Sequence, residues 1–110
     1  AVAAKKTAES DLILEYLKSD DYVILFDEKG ESLDSRGFAR RLEQALGSSK
    51  KRLVFLIGGA FGVEEPVRKR ADRILSLSPL TMNHVLAKTM AWEQIYRSFT
   101  ILKNLPYHND

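Results

Sequence analysis

Two short apolar runs, Tyr22-Val23-Ile24-Leu25-Phe26 and Leu53-Val54-Phe55-Leu56-Ile57, constrain the fold of this chain more than any other feature. Both are built from β-favouring residues without polar alternation. Each therefore predicts a strand covered on both faces, and such strands belong in parallel or mixed sheets flanked by helices. The first run ends in the polar turn Asp27-Glu28-Lys29-Gly30, and the second leads straight into Gly58-Gly59-Ala60-Phe61-Gly62. Between them, Asp34 or Ser35 caps a helix carrying Phe38, Leu42 and Leu46 at i, i+4, i+8, with Gly47 where a left-handed C-terminal residue is expected.

Ahead of the first strand, Thr7 or Ser10 is the expected cap of a helix with Leu12, Ile13, Tyr16 and Leu17 at helical spacing, closed by Ser19-Asp20-Asp21. Pro66 opens a short basic helix at a position where a missing N–H costs nothing. Ile74 to Leu77 reads as a third strand, and Asn83 caps a long helix reaching about Asn104, which Pro106 stops. His84, Ala87, Ala91, Ile95, Phe99 and Leu102 share one broad face of that helix, while Val85, Met90, Trp92 and Tyr96 add apolar surface elsewhere. A helix apolar on more than one side is expected to bury against two partners, here the sheet and a second subunit. The succession of strand, helix, strand, glycine turn and helix is α/β organisation. A chain of 110 residues makes one domain, residues 1–110, with a core large enough to need no covalent staples.

Composition removes several function classes. There is no cysteine, so disulfides and thiolate metal sites are excluded, and two histidines leave little basis for a metal site. No G-x-S-x-G, Walker loop or H-E-x-x-H is present, which disfavours hydrolase and metalloenzyme readings. No apolar run approaches the ~20 residues needed to span a bilayer, and no signal-peptide pattern opens the chain, so a cytoplasmic location without membrane contact is expected. The net charge of +2 hides an asymmetry: residues 1–65 carry 10 basic and 12 acidic groups, residues 66–110 carry 7 and 3. Any polyanion contact thus belongs to the C-terminal part, where Arg68, Lys69, Arg70 and Arg73 form either a solvated helix face or a nucleic-acid patch.

Three features are candidates for chemistry. Gly58-Gly59 stands at the end of a buried strand, where parallel sheets bind ligands and a residue without Cβ lets a ligand reach the backbone; a simple tight turn is the alternative. The spacing does not spell G-x-G-x-x-G, which disfavours a dinucleotide site. The loop Leu77-Ser78-Pro79-Leu80-Thr81-Met82 offers backbone groups and apolar side chains to a flat heterocycle, or merely caps the core. The tail carries Tyr107 and His108, either functional or frayed, whereas His84 reads as a packed or capping group.

Leu56-Ile57-Gly58-Gly59-Ala60-Phe61-Gly62, Leu75 to His84 (Leu-Ser-Leu-Ser-Pro-Leu-Thr-Met-Asn-His), Glu93 to Leu102 (Glu-Gln-Ile-Tyr-Arg-Ser-Phe-Thr-Ile-Leu) and Pro106-Tyr107-His108 together closely resemble the bacterial ribosomal RNA large-subunit methyltransferase H family. Asp27 to Gly30 after a strand fits the same pattern, and the resemblance runs from about Leu12 to His108. It implies an α/β knot of the SPOUT type, with a deep C-terminal trefoil, a parallel-rich sheet flanked by helices, and a homodimer. The implied reaction moves a methyl group from S-adenosyl-L-methionine to N3 of a pseudouridine in 23S rRNA on assembled ribosomes.

Carried over residue by residue, the resemblance places cofactor contacts on Phe26, Gly58 and Leu77, Ser78, Pro79, Leu80, Thr81 and Met82. Phe26, where many members have Leu, would cover the adenine. His108 is the implied base, since histidine titrates nearest neutral pH, with Tyr107 stacking on or hydrogen-bonding the target base. Arg97 either neutralises rRNA phosphate, orients the tail or pairs with Glu93 one turn earlier. Asn109 stands where many members have a basic residue, which removes one expected phosphate contact. The family's usual opening strand, helix and strand have no counterpart before Leu12, so a knotted but inactive RNA-binding or dimerisation module is the alternative. A nucleotide-binding α/β enzyme with ATP or NAD at Gly58-Gly59 is a third reading.

Overall fold

The computed structural model describes residues 2–58 and 63–109, with side chains from residue 8 onward. Its elements in chain order are α1 (Val2–Tyr16), β1 (Asp21–Ser32), α2 (Ser35–Leu46), β2 (Arg52–Ile57), α3 (Glu65–Arg70), β3 (Arg73–Ser76) and α4 (His84–Leu102). The strands form one sheet in the order β2-β1-β3, and both pairings are parallel. β1 runs in register with β2 from Asp21 opposite Arg52 to Phe26 opposite Ile57.

The central place of β1 accounts for its unbroken apolar run, because Val23, Ile24 and Leu25 are fully buried and Phe26 nearly so. Among the described residues β2 pairs only with β1, so the burial on both faces expected of residues 53–57 holds for Val54 alone. On one face, Ile24, Phe26 and Leu75 pack with Phe38 and Ala45 of α2 and Ala91 and Ile95 of α4. Phe26 lies stacked between Phe38 and Phe55, with ring centroids 5.9 and 6.0 Å away. α2 reaches this face because its apolar residues recur at helical spacing, and Asp34 starts it by accepting a hydrogen bond from the Gly37 N–H at 2.8 Å.

At the amino end of the sheet, Asp21 is almost wholly buried and accepts the Lys18 N–H together with a two-pronged grip from Arg52, each contact 2.8 Å long. The Arg52 hydrogen bonds, followed by that of Lys18, lower its carboxyl to about 2. Arg70 donates to the carbonyls of Lys18 and Asp21 at 2.8 and 3.0 Å, tying α3 to the same corner.

Several expectations change. α1 begins at Val2, ahead of both Thr7 and Ser10, because the alanine-rich opening favours helix; Ser10 is buried mid-helix, while Leu12 and Tyr16 stay exposed. Asp27 to Gly30 does not end the first strand. The chain bulges outward there, with the Lys29 N–H donating to Asp27, and returns to pair Glu31 and Ser32 with Leu75 and Ser76. Gly47 is right-handed, with φ −82°, so the α2 terminus needs no left-handed residue. On α4, Ser98 rather than Phe99 is buried, since steps of four residues rotate by about 40° each and carry the Ala87-Ala91-Ile95 row off the core.

The stop of α4 also differs from expectation. Asn104, with φ +56°, ends the helix before Pro106 is reached. The Asn104 N–H donates to the Ile101 carbonyl at 3.2 Å and the Leu105 N–H to that of Thr100 at 2.8 Å, the Schellman arrangement that reverses the chain. Residues 105–109 are thereby sent back along α4.

Candidate active site

Parallel strands present their carboxyl ends on one side of a sheet, and ligands of open α/β folds bind there. At that end lies a cavity of about 490 Å³, lined by Phe26, Asp27 and Glu28 after β1, Ile57 and Gly58 after β2, residues of the loop following β3, and Asn83, His84 and Ala87 at the start of α4. Of the residues singled out in sequence, Phe26, Gly58, Leu77, Ser78, Leu80, Thr81 and Met82 meet in this one wall. Pro79 stands off it, exposed, in a loop where the Leu80 N–H donates to Ser78 Oγ at 3.1 Å. Phe26 lines the cavity from a fixed position, its ring held in the core between Phe38 and Phe55. Gly59 falls outside the described residues.

Two polar contacts shape the rim. His84 Nδ1 lies 3.2 Å from the Gly58 carbonyl, which has no proton to give, so the ring donates and ties the β2 end to α4. Thr81 Oγ1 donates to Glu28 at 3.1 Å and ties the 77–82 loop to the β1 bulge. Asp27 is paired with Arg68 at 3.2 Å. Asp27, Glu28 and His84 carry no motif that marks them as ligand-facing in the sequence. Their signal was position alone, directly beyond a strand's carboxyl end and at a helix start.

The tail forms a second group. Tyr107 OH donates to Glu93 at 2.9 Å, Arg97 holds the same carboxylate at 3.1 and 2.8 Å, and the Arg97 guanidinium lies 4.7 Å from the Tyr107 ring centre. Hydrogen bonds from Arg97 and then Tyr107 lower the Glu93 carboxyl, while the bond to Glu93 raises the Tyr107 phenol above its usual value. Arg97 Nη1 stands 3.0 Å from His108 Nδ1. Arginine has no acceptor, so Nδ1 accepts and the ring proton resides on Nε2.

Arg97 thus both pairs with Glu93 one turn earlier and holds the tail through Tyr107 and His108. The basic cluster is likewise largely spent on structure. Arg68 pairs with Asp27, Arg70 with Asp72 and backbone carbonyls, and Arg73 reaches Gln44, leaving Lys69 most exposed. Among the described residues no group of three or more His, Asp or Glu side chains could hold a metal, and no helix is long and apolar enough to cross a membrane.

Residues 1–108, which include the sheet, the strand-end cavity lining and the tail, match the family described as predicted SPOUT methyltransferase. The chain belongs to that family. It is 61% identical over 105 residues to ribosomal RNA large subunit methyltransferase H of Bdellovibrio bacteriovorus, covering 96% of this chain and 67% of that protein. The proteins of the same name from Pseudothermotoga lettingae and Parabacteroides distasonis are 47% and 44% identical, covering 94% and 98% of this chain and 66% and 69% of theirs. The chain therefore spans about two thirds of the length of these relatives.

Proposed function

We propose that residues 1–110 act as one knotted methyltransferase domain that uses S-adenosyl-L-methionine to methylate N3 of a pseudouridine in 23S rRNA, on assembled ribosomes in the cytoplasm and as a homodimer. The observation that carries this reading is the convergence of seven candidate residues on one cavity beyond the parallel strands. Its volume suits a nucleoside-sized ligand, since small-molecule pockets run from about 300 to 1,000 Å³. Ile57, Leu77, Leu80 and Met82 offer apolar wall to a flat heterocycle, and Gly58 offers backbone. The same lining disfavours ATP or NAD, because Glu28 would face the phosphates with no lysine or arginine among the described lining residues. When bound, the cofactor supplies an electrophilic methyl carbon on a sulfonium.

This chain's own residues would supply position. His84 fixes the Gly58 carbonyl, and Glu28 and Ser78 hold the loop over the cavity. Proximity is the main service such a displacement needs, with the reacting atoms about 3–3.5 Å apart. At the tail, His108 has its lone-pair nitrogen engaged by Arg97. The general-base role expected of it requires the Arg97 contact to open first. Along α4 the Arg97 turn lies about 15 Å from Ala87 at the cavity end, so in a homodimer a second copy is the other source of a tail for each cavity.

Titration calorimetry with S-adenosylhomocysteine tests the pocket without ribosomes. Micromolar binding that disappears when Gly58 is made bulky supports the cofactor site, and transfer of labelled methyl to unmodified ribosomes then tests the substrate. A folded chain that does not bind would favour the inactive module instead.

A further inference from the structure

We infer that Glu28 makes the cavity select a cationic cofactor over its neutral product, so that charge favours donor entry and product exit. The inference rests on the cofactor reading above, and it names a specificity-determining residue for that site.

The bulge in β1 sets two carboxylates, Asp27 and Glu28, in the cavity wall. They differ in what balances them. Asp27 has its charge offset by the Arg68 guanidinium at 3.2 Å and also accepts the Lys29 N–H. Glu28 is bound by the neutral hydroxyl of Thr81, and no lysine or arginine is among the described lining residues. Among the described residues, one negative charge on the wall is therefore left without a paired cation. A space of this volume is about 10 Å across, close to the screening length of about 8 Å at physiological salt, so a ligand anywhere inside feels Glu28.

S-adenosylmethionine and S-adenosylhomocysteine share the adenosine, ammonium and carboxylate groups and differ by the methyl and the positive charge it places on sulfur. Interactions with the shared groups cancel in the ratio of affinities. What remains is one unit charge against Glu28, which at an effective dielectric between water and a protein surface is worth roughly three- to tenfold in binding.

The test is calorimetric titration of wild-type protein and Glu28→Gln with both compounds, at low and high salt. Glu28 is exposed and Gln keeps an acceptor for Thr81, so the variant removes the charge and retains the loop contact. The expected result is a fall of about three- to tenfold in the methionine-to-homocysteine preference, carried by weaker S-adenosylmethionine binding. In wild type that preference narrows with salt, and in the variant it is flat. Thr81→Val, which cuts the tether and keeps the charge, is expected to shift both affinities together. An unchanged ratio in Glu28→Gln overturns the inference and leaves the cofactor site standing. Wild-type protein that binds neither compound overturns both.

Discussion

Arg97 donates from Nη1 to His108 Nδ1 at 3.0 Å while its Nε and Nη2 grip Glu93 at 3.1 and 2.8 Å, so one guanidinium joins the last helix to the tail that follows it. The planar fork makes this possible, and a lysine has no equivalent geometry. Nitrogen-resolved NMR of the His108 ring is expected to show the Nε2–H tautomer in wild type and a mixture in Arg97→Ala. Methyl transfer to ribosomes is expected to drop by roughly 10- to 100-fold in that variant, the cost of misplacing a positioned group, while S-adenosylhomocysteine affinity is unchanged. Arg97→Lys is expected to restore charge but not the tautomer. An identical spectrum in Arg97→Ala would remove the positioning role, and unchanged transfer in His108→Ala would show that the tail histidine is not the base.

Much of this was legible in sequence where local chemistry decides the outcome. The apolar run 22–26 read as a doubly covered strand of a parallel or mixed sheet, Asn83 and the Asp34-Ser35 pair marked helix starts, and the strand-end rule pointed to the end of the sheet where the cavity lies. What was not legible depends on tertiary contact. That Phe26 is held between Phe38 and Phe55 while it lines the cavity cannot be read from its own residue type. Asp27-Glu28-Lys29-Gly30 has the composition of a terminating turn, and only its return to Leu75 and Ser76 makes it a bulge. The engagement of His108 by Arg97 requires the chain to reverse at Asn104, an αL position that asparagine tolerates but does not announce.

Gly30 tests that bulge directly. A Cβ there would lie 2.7 Å from the Ile74 carbonyl oxygen and 2.9 Å from the Leu75 carbonyl carbon, both backbone atoms of the neighbouring strand. Gly30→Ala is expected to cost about 1–3 kcal/mol by overpacking, read as a lower urea midpoint. Cofactor-analogue affinity is expected to weaken as well, since the displaced segment carries cavity wall. Gly47→Ala is the contrast, because that residue is right-handed and its nearest new contact is 3.4 Å away. It is expected to be neutral or stabilising by about 0.4–1 kcal/mol.

Asp21 gives the fold an acid limit. Its carboxyl titrates at about 2 in the folded chain against an ordinary 3.8, through the Arg52 and Lys18 hydrogen bonds. A folded value below the unfolded one means the ionised form stabilises the protein above about pH 4, and that contribution is lost as pH falls toward 2. Asp21→Asn is expected to lower the urea midpoint at neutral pH without changing the slope. Stability curves of variant and wild type should converge on acidification, and a gap that stays constant to pH 2 would assign the loss to packing instead.

The exposed stripe of α4 bears on the proposed homodimer. Val85, Trp92 and Tyr96 fall on one side of the helix, turned about 120° from the Ala87-Ala91-Ile95 row, and Trp92 and Tyr96 are 67% and 58% exposed. Burying such aromatic surface against a second copy would supply the hydrophobic centre that stable interfaces require. Trp92→Glu places a charge at that centre without disturbing the chain's own core, so helix content should persist while the sedimenting species becomes monomeric at concentrations where wild type is dimeric. Should the variant sediment as wild type does, the interface must use other apolar surface. Leu12 and Tyr16 on α1 would be next to mutate, and because the Tyr16 ring and hydroxyl already contact Arg52, Leu12→Glu is the cleaner variant there.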